Sequence, residues 1–146
     1  MASIFPFTNP RAYASTPSTD LPLYYDVGWD YANDGYGAPQ FGVGDPVVVS
    51  GLPAVMSWAW RALYTERFLN EVYSWNYGNE MMTVVGEPWD PGVKTAELSR
   101  YATECLTVSP YITGVYDFAV TFSGTRVTIN SRVETVYGSG LLEVTI

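Results

Sequence analysis

The chain has 146 residues, with seven basic side chains, fifteen acidic ones and no histidine, for a formal charge of −8 at neutral pH. One lysine, Lys94, and the singly scattered Arg61, Arg67, Arg100, Arg126 and Arg132 lack the basic footprint that a nucleic-acid backbone requires. The missing histidine excludes Ser-His and Cys-His nucleophile systems, the single Cys105 excludes an intramolecular disulfide framework, and no apolar run approaches the roughly 18 to 20 residues that span a bilayer.

Residues 1–20 carry Pro6, Pro10 and Pro17 among serines and threonines, which predicts an extended arm ahead of one domain over 21–146. Tyr24, Tyr25, Trp29 and Tyr31, a glycine-rich turn at 33–37, and Val47 to Val49 predict one or two short strands. Leu52, Val55, Met56, Ala59 and Leu63 recur at the spacing of one helical face. Thr65, Glu66 and Arg67 fall where that helix should end, and Tyr73, Trp75 and Tyr77 alternate beyond it, which predicts an aromatic extended segment suited to packing or docking.

Asp90 with Pro91 marks the start of a second helix, whose stripe is Leu98, Tyr101, Ala102, Cys105 and Leu106, with Pro110 after its end. The last third alternates. Tyr116, Phe118, Val120 and Phe122 form one face of a strand, and Ser123-Gly124 a turn. Val127, Ile129, Ser131, Val133, Thr135 and Tyr137 then oppose Arg126, Thr128, Asn130, Arg132 and Glu134 on the two faces of the next. Gly138-Ser139-Gly140 predicts a second turn into a final strand from Leu141 to Ile146. The fold class expected is α+β: two main helices packed on a small antiparallel sheet, with a C-terminal three-stranded meander.

Sites for chemistry are sparse. Glu66, Glu71 and Glu80 lie near the aromatic segment and supply the carboxylates a glycosidase would need, against the plainer reading of solvated or ion-paired acids. Asp30, Asp34 and Gly35 imitate the start of a calcium loop, but Ala32, Ala38 and Phe41 occupy positions where ligands belong. Gly42 and Gly44 precede Asp45-Pro46 with no lysine and no helix N-terminus to cradle phosphate. No catalytic, cofactor or metal residues are assigned. Arg67 either serves the last carbonyls of the first helix or, with Glu66, reaches a neighbouring element or subunit.

The order of these motifs resembles a known family. TERFLNEVYSWNYG after the first helix, ELSRYATECLTV in the second, then SPYITGVYDFAVTF and the meander are similar to the baseplate wedge proteins of contractile phage tails, and more narrowly to the sheath initiators, once labelled lysozyme-like. The resemblance spans about 21–146. Thr65-Glu66-Arg67 resembles the family's Glu-Arg turn and Tyr77-Gly78 its aromatic-glycine step, while Ser109-Pro110-Tyr111-Ile112 stands where many members carry Glu-Pro-Arg-Ile.

The resemblance implies a non-enzymatic protein of the virion tail baseplate, made in the host cytoplasm. It implies a sixfold arrangement around the tube, and sheath protein, other wedge proteins and tube or hub proteins as partners. It also implies β-strand augmentation by the sheath. Glu66, Arg67, Tyr73, Trp75, Tyr77, Leu141, Leu142, Val144 and Ile146 are the interface residues expected. The alternatives are a peptidoglycan glycosidase, as the older label suggests, and a tyrosine-rich tail module that binds a surface glycan or protein.

Overall fold

The computed structural model describes residues 21–31 and 37–146; the expected arm at 1–20 and most of the glycine-rich turn at 33–37 lie outside the described residues. Four short strands come first: β1 (Tyr25–Val27), β2 (Trp29–Asp30), β3 (Ala38–Pro39) and β4 (Val48–Ser50). They pair antiparallel as β1 with β4 and β2 with β3. After β4, Gly51 takes φ 69°, a left-handed value that costs glycine little, and turns the chain into α1 (Leu52–Tyr64).

The predicted stripe of α1 is inside, with Val55, Met56, Ala59 and Leu63 buried. Ser57 and Trp60 are buried too, so the helix is covered on nearly every side. Its alanines at 54, 59 and 62 let neighbours approach closely. Arg61 on its partly exposed flank forms an ion pair with Asp26 of β1, and its guanidinium lies 5.5 Å from the Trp29 ring. That contact ties the first strands to the helix.

A single helical turn, α2 (Met82–Val85), was not expected from so short an apolar run; it delivers Val84 to the core, with Met81 just ahead of it. The second long helix, α3 (Pro91–Thr107), starts as its sequence indicates: the Asp90 carboxylate accepts from the Gly92 amide at 2.9 Å, and Pro91 stands where no amide is needed. Leu98, Ala102, Cys105 and Leu106 face the core, while Arg100 bridges Glu97 and Glu104 on the wet side.

The meander is β5 (Ile112–Ser123), β6 (Arg126–Thr135) and β7 (Gly138–Thr145), in that order and antiparallel. Val127, Ile129, Ser131, Val133 and Thr135 of β6 all face the core as expected. Two details differ. The register slips between Tyr116 and Ala119, where Asp117 adopts φ 53°; two residues oppose one, and this bulge throws Tyr116 to the outer face while Phe118 and Val120 stay inward. The second turn is Val136-Tyr137, and Gly138 to Gly140 already belong to β7. Gly138 takes φ 126°, a value that favours glycine, while at Gly140 the reason is packing, because a side chain there would begin 2.9 Å from the Met56 sulfur.

Leu98 of α3 is fully buried in the core cluster that α1, α2, α3 and the meander share. Leu98→Ala is expected to cost about 2 to 5 kcal/mol in urea unfolding, against less than about 0.5 kcal/mol for the exposed Glu104→Ala.

Candidate docking surface

Residues 65–80 form a hoop closed at its base. Thr65 ends α1 by giving both its amide and its hydroxyl to the Arg61 carbonyl, at 2.9 and 2.7 Å. Asn79, 4% exposed, donates its side-chain amide to the carbonyls of Leu63 (2.6 Å) and Thr65 (3.0 Å) and accepts from the Met81 amide (2.9 Å). Its backbone bonds to Thr65 and Arg67 in the same way strands pair. Two carbonyls at the end of α1, those of Leu63 and the capping Thr65, are thus satisfied by one buried side chain. Gly78, at φ 97°, has the Thr65 carbonyl 2.9 Å from where a Cβ would stand, so only glycine fits beside that carbonyl.

Arg67 does not serve the helix carbonyls. Its Nε donates to the Trp75 carbonyl at 2.6 Å, its other nitrogens reach Glu80 and Asn76 at 3.5 Å, and its guanidinium covers the Phe68 ring at 4.7 Å. The segment is not extended, either. Tyr73 and Tyr77 amides donate to the Asn70 and Ser74 carbonyls, closing successive turns. Asn70 and Ser74 are turn-forming residues, and the local backbone bonds to their carbonyls override an alternation of aromatics.

The hoop holds its large side chains outward. Phe68 (at φ 66°), Leu69, Val72 (92% exposed) and Trp75 (80% exposed) lie open, with the Phe68 and Trp75 rings 5.6 Å apart. Tyr73 stands half out, packed on Tyr77 at 4.7 Å; Tyr77 turns inward, edge-on to Trp58, and burial raises the pKa of its phenol. Glu66 is exposed at the base of the hoop.

The expected C-terminal residues divide by face. Leu142 and Val144 point into the core and Ile146 is partly buried, whereas Leu141 is 85% exposed. Val127 and Ile146 exchange both backbone bonds at 2.9 Å, so alternate residues of β7 back to Gly138 bond to β6. The backbone groups of Ser139, Leu141, Glu143 and Thr145 therefore point away from β6, along the sheet's margin. Ile146 lies against Tyr64, Glu66 and Tyr73 in one groove, which brings the end of β7 to the base of the hoop, while Leu141 stands at the other end of the strand.

Glu80 is held by Arg67, while Glu66 and Glu71 line separate grooves, so these acids do not converge as a catalytic pair. Burial pushes the Cys105 thiol up to about 12, which keeps it protonated and unreactive. Tyr111 is buried: its hydroxyl donates to the Pro22 carbonyl at 2.8 Å, and its ring packs against Tyr24 and Tyr137. Neither Asn79 nor Phe68 stands out in the sequence, the first because a buried asparagine looks like any other until its carbonyl partners are placed around it; Gly78 stands out there only as part of the family's aromatic-glycine step.

Comparison with known proteins gives a consistent match. The model of the contractile injection system sheath initiator family matches residues 26–138. The phage-like element PBSX protein XkdS of Bacillus subtilis (strain 168) is similar, at 32% identity over 98 residues covering 66% of this chain and 68% of that protein.

Because Asn79 answers three backbone groups, Asn79→Ala is expected to cost about 2 to 4 kcal/mol and to speed amide exchange throughout the hoop. Trp75→Ala, at an open position, is expected to change unfolding stability by less than about 1 kcal/mol.

Proposed function

We propose, because this chain belongs to the contractile injection system sheath initiator family, that it seeds the sheath by offering the margin of β7 to an incoming sheath strand. Membership makes it a structural component of a contractile phage tail, acting with the sheath and other tail proteins. The finer reading is that it sits in the baseplate in sixfold arrangement and joins the wedge to the first sheath ring.

The observation that carries the reading is the contrast between the two margins of the meander. β5 is bulged at Asp117, a device that bends an edge and disrupts pairing, whereas β7 keeps unbroken register with β6 from Gly138 to Thr145. Regular outward groups at 139, 141, 143 and 145 are the template that strand addition needs: main-chain bonds give affinity and side-chain pockets give register. The hoop's open cluster of Phe68, Leu69, Val72 and Trp75 suits the second contact, to wedge or tube proteins, because exposed aromatics on a braced loop bind with little loss of conformational freedom.

Truncating 141–146 would remove Leu142 and Val144 from the core, so a point change tests the margin more cleanly. The Leu141 amide points outward, and proline is tolerated at such an edge position. Leu141→Pro is expected to leave the baseplate assembled and the isolated protein folded, with sheath polymerisation on that baseplate reduced at least about tenfold by electron microscopy. Sheaths of normal number and length on the variant would contradict strand addition at β7.

A further inference from the structure

Two cavities flank the margin of β7, and we propose that they read the side chains of the incoming sheath segment, taking an apolar residue at the Gly140 end and a basic residue at the Ile146 end. This rests on the reading of β7 as the accepting edge. The first cavity, about 350 Å³, is lined by Gly140 and Leu141 together with Leu52, Met56, Trp29 and Val49. The second, about 440 Å³, is lined by Ile146 with Tyr64, Glu66, Leu69, Tyr73 and Met82.

Each cavity joins β7 to α1, the first where both elements begin and the second where both end. Neither touches a residue of β5 or β6, so both open on the side of β7 that β6 leaves free. Gly140 and Ile146 are an even number of residues apart, roughly 20 Å along a strand. A segment added to β7 therefore meets both cavities with side chains of one face, the face turned towards α1. Side chains on its other face point to solvent and go unread.

The two cavities differ in chemistry. The wall of tryptophan, leucine, methionine and valine at the Gly140 end favours an aliphatic or aromatic side chain. At the Ile146 end the carboxylate of Glu66 makes no ion pair among the described residues, and the nearest cation in sequence, Arg67, is committed to the Trp75 carbonyl and Glu80. Tyr64, Leu69, Tyr73 and Met82 around that acid form a channel for the apolar stem of a lysine or arginine. The net charge of −8 favours the same sign of partner. Glu66 becomes the selector of register: sliding the segment by one residue turns its basic side chain to solvent.

The test uses acetylated synthetic peptides of about ten residues, alternating threonine and valine, with leucine and lysine placed as far apart as Gly140 and Ile146. Binding to the full chain is followed by tryptophan fluorescence and by NMR titration. The lysine peptide is expected to bind on the order of tenfold tighter than the same peptide with glutamate at that position at low salt, with the gap narrowing as salt is added. Glu66→Lys, an exposed change whose folding is checked by circular dichroism, is expected to reverse the preference. Equal affinity for the two peptides, an unchanged preference in Glu66→Lys, or no binding by either overturns the two-cavity assignment. The edge reading is judged separately, by whether Leu141→Pro abolishes whatever binding occurs and by the sheath assay above. Concentration-dependent self-association of the wild-type chain that Leu141→Pro prevents would assign the margin to a second copy and overturn the proposal as well.

Discussion

The packing of α1 along β7 is the contact on which the rest of the molecule depends. Met56 lies over Gly140, where a Cβ would stand 2.9 Å from the methionine sulfur, and α1 runs beside β7 from that point to Tyr64 and Ile146. Burying the inner face of β7 against the helix fixes the strand's orientation, since a one-residue slip would put Leu142 and Val144 into water and Leu141 into the core. The same contact leaves the outer backbone groups of β7 in a straight row with a helical floor beside them. A regular open edge is a hazard in a free protein, and in the proposed reading its flanking cavities make it selective for one partner.

The hoop from 65 to 80 extends this arrangement. Asn79 makes the end of α1 the base of a closed loop, and Arg67 braces that loop by holding the Trp75 carbonyl. Its large apolar side chains are thus presented on a fixed frame. A flexible loop would surrender more entropy on docking, so such bracing suits the proposed contact without enlarging the surface. The base of the hoop and the end of β7 share a groove, which places the two proposed contacts side by side.

Much of this plan was legible in the sequence because it rests on periodicity. The faces of α1 and α3, the cap at Asp90 and the alternation of β6 follow from repeats of 3.6 and 2 in apolar residues, and burial in the structure agrees with them. What was not legible depends on single residues meeting distant partners. The bulge at Asp117 resets the face of Tyr116 through one residue's φ, and α2 is too short to show a period. The aromatics at 73, 75 and 77 alternate as a strand would, yet local turns bonded through Asn70 and Ser74 decide their conformation. Tyr111, which stands where many family members carry arginine, serves as a buried anchor for the chain at Pro22, a role set by residues far away in sequence.

The central claim is that a sheath strand bonds to the outward backbone groups of β7. Residue-resolved amide exchange, measured on the free chain and on the chain bound to its sheath protein, tests it most directly. In the free protein the amides of Leu142 and Val144, bonded to β6, are expected to exchange slowly, and those of Leu141, Glu143 and Thr145 to exchange fast. On binding, the account predicts that Leu141, Glu143 and Thr145 become protected in alternation with little change at Leu142 and Val144. Amides at 141, 143 and 145 that stay fast in the complex would contradict it.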